Sequence, residues 1–214
     1  MSQAINQQLV ERFEEFIEAY CEKEVGVLLE NYPKKQRSLN IDWGELYRFD
    51  PNMADDFITY PDSVREAAKQ ALVNVGDLRY QTDDMLEKAH VRIYNLQELT
   101  EIREIRSKDV NTLVSIQGLI RKSTNVRPKV DVAAFECQRC ATVTNVPQVR
   151  GYQEPFACGG CERQGPFEIK FDRSTFSDTQ TLLIQESPEG LRGGEQPQSI
   201  EIHIEDDISG MASP

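Results

Sequence analysis

The chain has 214 residues and a net charge of −12, because 36 aspartates and glutamates outnumber 24 lysines and arginines. Hydrophobic residues make up 39% of it, enough for a core, yet no stretch approaches the roughly 18 consecutive apolar residues of a membrane helix. Four glutamates within the first twenty residues argue against a secretory signal. These features exclude a uniformly basic nucleic-acid-binding protein and predict a soluble, cytoplasmic one. Adaptation to high salt stays open as the cause of the acidity.

The charge is distributed unevenly along the chain. Residues 1–90 carry a net charge of −8 and residues 166–214 one of −7, whereas residues 91–134 carry +3 and residues 135–165 are balanced. An acidic protein repels nucleic acid except where a basic segment faces it. Residues 91–134 are therefore the expected place for a contact with nucleic acid.

The first ninety residues have the periodicity of amphipathic helices. An apolar stripe with spacings of three and four predicts a first helix. Its members are Ile5, Leu9, Phe13, Phe16, Ile17 and Tyr20. A longer helix is expected to begin near Pro61, with Ser63 and Glu66 as a capping box, and to stop at Gly76. With shorter helical pieces near residues 42–47 and 52–57, residues 1–90 are predicted to form a helical subdomain.

Beyond residue 90 the apolar residues recur with the period of β-strands. The strict alternation of Ile200, Ile202 and Ile204 with polar residues is the clearest case. Similar short segments lie at residues 91–96, 113–120, 167–171 and 181–184. Short strands with turn-rich links predict a small β-barrel over residues 91–134 and 166–214 that carries an insertion at 135–165. The whole chain is therefore expected to have an α+β fold.

Four cysteines in the insertion have the spacing of a metal site. Cys137 and Cys140 form one CxxC pair, and Cys158 and Cys161 form a second pair. Two such turns facing each other supply the tetrahedral four-sulfur site that zinc accepts. Four sulfurs leave no ligand position for water, so one structural Zn²⁺ is the predicted cofactor.

Other readings of the cysteines stay open at this point. Two disulfides are disfavoured in an intracellular chain, while a redox CxxC pair and an iron–sulfur cluster are further alternatives. Cys21 lies beside the apolar stripe of the first helix and is interpreted as a small buried residue, not a fifth ligand.

The order of several segments resembles the N-terminal region of archaeal minichromosome maintenance (MCM) proteins, which are hexameric replicative DNA helicases. The segments that carry the resemblance are Gly118–Lys129, the two CxxC pairs, Gln185–Glu189, Gly194–Ile200 and Glu205–Asp207. The resemblance extends over essentially the whole chain, loosely over residues 1–90 and closely over residues 113–207.

The resemblance implies a three-part organisation. The family has a helical subdomain, an OB-type barrel and a zinc-binding ribbon inserted between barrel strands, which here correspond to residues 1–90, 91–134 with 166–214, and 135–165. It implies a nucleoid-associated protein that binds single- and double-stranded DNA and assembles into a hexamer or double hexamer. In the family the chain continues into a basic hairpin and an ATPase motor, so the barrel is expected to be truncated at its C-terminal end.

The basic segment supplies candidate DNA contacts. Arg121 and Lys122 precede a short polar turn, and Arg127 and Lys129 follow it. On two antiparallel strands joined by that turn, the four cations would share one edge of the barrel. OB folds bind single strands in such grooves, with cations on the phosphates. The four residues are the predicted DNA-binding set.

The resemblance also implies a communication loop between the OB layer and the motor. Its candidate residues are Gln185, Glu186, Gly190, Gly193 and Gly194. In the family a basic residue commonly follows the proline matched by Pro197, where this chain has Gln198, which puts one contact in doubt. A plain surface connection is the simpler interpretation of this loop.

The sequence contains no catalytic pattern that stands out. It has no GxxxxGK[ST] motif to hold the phosphates of ATP, and its two histidines lie in no metal or triad spacing. We therefore expect neither ATP binding nor enzymatic activity from this chain alone. The alternative function is that of a zinc-ribbon and OB-fold adaptor that binds RNA or RNA polymerase.

Overall fold

A computed structural model describes residues 7–80, 85–149, 151–188 and 195–214. The chain divides into two compact units. The first consists of Met1–Gly118 and Glu186–Gln198, and the second of Leu119–Gln185 and Ser199–Pro214. The segment that links the two C-terminal strands thus belongs to the first unit, whereas those strands belong to the second.

Five helices build the core of the first unit. They are α1 (Gln7–Tyr20), α2 (Glu22–Asn31), α3 (Trp43–Phe49), α4 (Pro51–Thr59) and α5 (Pro61–Tyr80). The centre of the predicted stripe of α1 is buried: Phe13, Phe16 and Ile17 are fully inaccessible and pack in one hydrophobic cluster. Tyr20 is 45% exposed, and Ile5 lies outside the described residues. Asp50 caps α4 by accepting hydrogen bonds from two backbone amides at its start. Cys21 lies in the same core, as expected, and burial raises the pKa of its thiol to about 12.

The predicted start of α5 near Pro61 is confirmed, whereas its predicted capping box and its predicted stop at Gly76 are wrong. The helix starts at Pro61, and the Ser63 hydroxyl donates to the carbonyl of Tyr60 rather than capping an amide, so no capping box forms. It continues through Gly76, which is buried within the helix. The packing of α5 on α1 outweighs the weak helix propensity of glycine at this position.

A short parallel pair of strands accompanies these helices. β1 (Ser38–Asp42) pairs with β2 (His90–Tyr94), with Leu39 opposite Val91. The sequence analysis predicted the strand at 91–96 but not β1, and it did not predict that β2 pairs within the first unit. Residues 113–117 form only an isolated bridge between Leu99 and Ser115, not the predicted strand.

The second unit is an antiparallel sheet built around one long strand. Its members are β3 (Leu119–Ser123), β4 (Arg127–Cys137), β5 (Val143–Pro147), β6 (Phe167–Gln185) and β7 (Ser199–Glu205). β6 pairs with β7 over residues 179–185, while β4 pairs with both β6 and β5. The two segments predicted at 167–171 and 181–184 are therefore parts of a single 19-residue strand.

β3 and β4 do not form the predicted hairpin. β3 pairs with residues 182–185 of β6, and β4 pairs with residues 167–179 of the same strand. Thr124, between them, donates its amide to the carbonyl of Thr181. The segment from Leu119 to Cys137 thus follows β6 throughout, because the backbone amides and carbonyls along β6 can form hydrogen bonds with it over its whole length.

The helices and the antiparallel sheet confirm the predicted α+β class. The subdomain boundaries at residues 90, 134 and 165 stay predictions. In the part of the chain with assigned secondary structure, no helix is both long and apolar enough to cross a membrane.

Candidate functional site

Strand pairing brings the two cysteine pairs together. β4 ends at Cys137, which lies opposite Phe167 at the start of β6. The second pair, Cys158 and Cys161, comes shortly before β6 in the chain, so both CxxC turns lie at one end of the β4–β6 ladder. The amide of Gln138 donates to the carbonyl of Pro166 and links the base of the first turn to the entry of β6.

The two cysteine turns have the same backbone design. In each, the amide four residues after the first cysteine donates to that cysteine's carbonyl, at 2.8 Å for Ala141 and 3.0 Å for Glu162. In each, the amide of the first cysteine donates at 3.0 Å to the carbonyl five residues on. Ala141 and Glu162 both have a φ of +56°. The fold therefore presents two equivalent turns whose sulfurs face one another.

The sulfur positions fit a tetrahedral metal ion. Cys137 Sγ lies 3.8 Å from Cys161 Sγ, Cys140 Sγ lies 3.4 Å from Cys158 Sγ, and the four sulfurs lie within 4.8 Å of one another. Four sulfurs at about 2.3 Å from a central zinc would be about 3.8 Å apart. A disulfide needs about 2.05 Å, and a multi-iron cluster would force the sulfurs farther apart. The cysteines are therefore able to hold one ion.

Hydrogen bonds around the sulfurs favour the thiolate form at two positions. Thr142 Oγ1 lies 3.3 Å from Cys140 Sγ, and hydrogen bonding with the Thr142 side chain and backbone lowers the pKa of Cys140 to about 6. Backbone amides of Arg139 and Cys140 lower the pKa of Cys137. The amide of Gly160 donates to Cys158 Sγ at 3.3 Å. Thiolates are the form that binds metal.

We expect Gly160→Ala to weaken metal retention. A Cβ at this position would overlap the Thr142 side chain, including its Cβ at 3.0 Å, and so displace the hydroxyl next to Cys140. At the neighbouring Gly159 an added Cβ meets only ordinary contact, 3.8 Å from Thr144 Oγ1. The measurement is the rate of metal release to a chromophoric chelator, which should rise for Gly160→Ala and stay near the parent rate for Gly159→Ala. Equal rates in the two variants would contradict it.

Three of the four predicted DNA contacts lie on one face of the second unit's sheet. Opposed residues in an antiparallel ladder share a face, and so do alternate residues of a strand. Lys122 lies opposite Leu183, Arg127 opposite Thr179 and Lys129 opposite Ser177. The other face holds the buried Gln180 and Leu182, so the cations occupy the solvent side.

Arg121 occupies a different position from the other three. The register between β3 and β6 shifts between Ile120 and Lys122, which makes Arg121 the bulged residue. Its side chain is exposed. Among the described residues, Arg121, Lys122 and Arg127 form no ion pair. Lys129 does, because its Nζ lies 2.6 Å from Glu205 Oε1.

The sequence analysis missed the side chains that β7 adds to this face. Glu201, His203 and Glu205 lie opposite Leu183, Thr181 and Thr179 of β6. His203 Nδ1 is hydrogen-bonded to Thr181 Oγ1 at 3.0 Å, and its Nε2 lies 3.7 Å from Glu201 Oε1. The strict alternation of β7 indicated a two-faced strand. Nothing local in the sequence indicated that its acidic side would lie beside the cations.

Glu186 anchors the base of the predicted communication loop. It is buried and accepts hydrogen bonds from the Arg103 amide at 2.9 Å, the Arg103 Nη2 at 2.8 Å and the Gln198 amide at 2.9 Å. Arg103 Nη1 also donates to Glu195 Oε2 at 2.7 Å. The Arg103 guanidinium, followed by the Gln198 amide, lowers the pKa of Glu186 to about 2. Both ends of the loop are thus joined by one arginine.

The remaining loop candidates are placed only in part. Gln185 ends β6 opposite Ser199 and Leu119, whereas Gly190, Gly193 and Gly194 lie outside the described residues. Gln198, which replaces the family's basic residue, uses its backbone: its carbonyl accepts from the Glu186 amide at 3.0 Å. Arg103 lies in the basic segment at residues 91–134, and the sequence analysis did not predict its role at the loop.

Two family models match this chain. The model of the MCM N-terminal domain matches residues 10–95, and the model of the MCM OB domain matches residues 101–214. A 1.8 Å crystal structure of the N-terminal domain of an archaeal MCM superposes with a TM-score of 0.75 at 28% identity, over 97% of this chain and 83% of that one. This likeness confirms the predicted OB-like character of the sheet.

Full-length proteins from several organisms are also similar. The minichromosome maintenance protein MCM of Saccharolobus solfataricus is 30% identical over 84% of this chain and 27% of its own length. The DNA replication licensing factor mcm4-B of Xenopus laevis is 29% identical over 82% of this chain and 20% of its own. The chain thus spans between a fifth and about a quarter of the length of these curated relatives.

Proposed function

The chain belongs to the MCM family, and from that premise we propose that it is the DNA-binding and ring-assembly N-terminal region of an MCM-type replicative helicase. In this role it acts in the initiation of replication and in unwinding, associated with chromosomal DNA. The observation that carries the DNA-binding part is the row of Lys122, Arg127 and Lys129 on the solvent face of an OB-like sheet. Such sheets bind nucleic acid through cations and stacking surfaces.

The four cysteines hold one structural Zn²⁺ in this proposal. The distances between the sulfurs and the closed set of four thiolates suit zinc, and a bound ion would tie the two turns together without an open position for chemistry. A single iron atom would accept the same geometry. Metal analysis of freshly purified protein separates the two ions.

The chain works in this proposal as the non-catalytic part of a larger assembly. A hexamer or double hexamer forms through these domains, and an ATPase motor elsewhere in the full-length protein binds ATP. Val149, Tyr152 and Phe156, in the segment between the cysteine pairs, expose 80%, 68% and 84% of their surface. Exposed apolar side chains in one segment support an interaction surface there.

The segment from Gln185 to Pro197, with Glu186, Gly190, Gly193 and Gly194, is proposed to communicate between the OB layer and the motor. A loop that transmits a position must be held firmly at its ends. The contacts of Arg103 with Glu186 and Glu195 supply that anchorage. The Arg103→Ala substitution in a complete helicase tests this role.

DNA binding is tested by replacing Arg121, Lys122, Arg127 and Lys129 together with alanine. All four are at least partly exposed, so the fold should be retained. Each lost phosphate contact lowers the slope of log affinity against log salt by about 0.7 for a single strand. We expect weaker binding and a shallower slope for single-stranded DNA, measured by fluorescence anisotropy at several salt concentrations. Parent-like affinity and slope would show that the cations are only surface charge.

A further inference from the structure

We infer that the carboxylates of β7 make this face of the sheet selective for single-stranded over double-stranded DNA. The inference rests on the proposed DNA-binding role of Lys122, Arg127 and Lys129. It adds to that role the form of nucleic acid that the face accepts. The part played by the carboxylates could not be predicted from the sequence, because the acidic row is distant in the chain from the basic one.

The basic and acidic rows run side by side with β6 between them. Leu183 of β6 lies opposite Lys122 on one side and opposite Glu201 on the other, and Thr179 lies in the same way between Arg127 and Glu205. Neighbouring strands are about 4.8 Å apart. The backbone of the strand that carries the carboxylates therefore lies about 10 Å from the backbone of the strands that carry the cations. On the shared face the side chains reach towards each other, as Lys129 and Glu205 do.

This separation lies between the widths of the two grooves of a duplex. A single strand presents one row of phosphates, which the cations can hold while its bases turn elsewhere. In a duplex the second row lies across a groove about 6 Å or about 12 Å wide. When the first row contacts Lys122 and Arg127, the second row lies over Glu201 and Glu205. Repulsion between phosphates and carboxylates then opposes duplex binding.

The pairing of Lys129 with Glu205 acts in the same direction. Their side chains are 37% and 50% exposed, and ion pairs in such water-accessible positions are weak. A phosphate of a single strand can displace Glu205 from Lys129, and the freed carboxylate turns to solvent. Under a duplex the freed carboxylate stays beneath the second phosphate row. Glu201, 63% exposed beside His203, is placed to repel in the same way.

The test compares the parent with a Glu201→Gln, Glu205→Gln double variant. The probes are a labelled single strand of about 16 nucleotides, the upper site size of one OB fold, and a duplex of the same length. We expect the parent to favour the single strand. With two screened repulsions removed, the ratio of duplex to single-strand affinity should rise about threefold or more. Fluorescence anisotropy at one salt concentration measures both affinities.

A matched control carries Glu154→Gln and Glu168→Gln. Both residues are exposed, and Glu168 forms an ion pair with Lys170 at 3.0 Å, so the control changes net charge equally and also removes one carboxylate partner of a lysine. Glu168 lies 11 residues from Thr179 along β6, roughly 36 Å in an extended strand. Its ratio of affinities should stay at the parent value.

Three outcomes would overturn the inference. They are an unchanged ratio in the Glu201, Glu205 variant, an equal change in the control, and a parent that binds the duplex as tightly as the single strand. Each of these leaves DNA binding itself in place. Parent-like DNA binding by the variant in which all four cations are replaced with alanine would instead contradict the proposed DNA-binding function.

Discussion

Cys158→Ser is expected to abolish stoichiometric metal binding and to unfold the turns around the cysteine cluster. Cys158 is buried, and its sulfur lies 3.4 Å from that of Cys140. The same sulfur accepts a hydrogen bond from the Gly160 amide. Structural zinc contributes roughly 10–16 kcal/mol of apparent binding free energy in small domains, because the unfolded chain has no preformed site. The variant should contain well under one metal ion per chain, and proteases should cleave it between residues 138 and 165.

The helices of the first unit provide the internal control for this experiment. Its core contains no ligand of the cluster, so its helical circular dichroism signal should persist in the variant. Cys21→Ala is the matched substitution: it removes a buried thiol outside the cluster and should keep the full metal content. One zinc per chain in Cys158→Ser would contradict the assignment of Cys158 as a ligand. Iron in the parent would contradict the assignment of the metal as zinc.

Arg103→Ala is expected to loosen the loop base and to lower the melting temperature. The substitution leaves Glu186, which is 9% exposed in its side chain, without its guanidinium partner, and it also removes one partner of Glu195. A buried carboxylate without its partner is strongly unfavourable. We expect the Tm to fall by roughly 5 °C or more, measured by circular dichroism. In a complete helicase carrying this region, unwinding should fall more than DNA binding.

A second arginine pair supplies the comparison for Arg103. Arg79 lies 3.0 Å from Glu18, and both side chains are about 40% exposed. Exposed pairs contribute little to stability, so Arg79→Ala should change the Tm by about 1–2 °C at most. If Arg103→Ala and Arg79→Ala have the same Tm, the contacts of Arg103 at the loop stabilise the fold no more than an exposed ion pair does. If a complete helicase with Arg103→Ala unwinds DNA as well as the parent, the loop is a plain connector and has no role in communication.

The same anchor predicts how stability depends on pH. Glu186 has a pKa of about 2 in the folded chain, below its ordinary value of 4.5, because Arg103 and two amides stabilise the carboxylate. Its contribution is therefore fully present above about pH 4.5 and is lost as pH falls from there towards 2. Arg103→Ala should shrink this acid-dependent loss, whereas Arg79→Ala should retain it.

Local sequence patterns were sufficient for α1, for β7 and for the cysteine cluster. The stripe of Phe13, Phe16 and Ile17 predicted α1 and its buried face, because helical periodicity is written into neighbouring residues. The alternation in β7 predicted a strand in the same way. The CxxC spacing predicted four clustered sulfurs, since each pair needs only one local turn to orient its thiols.

Only the tertiary structure decided which strands pair and which charges meet. Arg103 and Glu186 are 83 residues apart in the chain, and Lys129 and Glu205 are 76 apart. The side-chain period of a strand tells which residues share a face but not which strand lies beside it. The hairpin prediction failed for that reason: β6, which begins 30 residues after the end of β4, offered β3 and β4 a longer ladder than they offer each other. The same pairing set the carboxylates of β7 beside the cations.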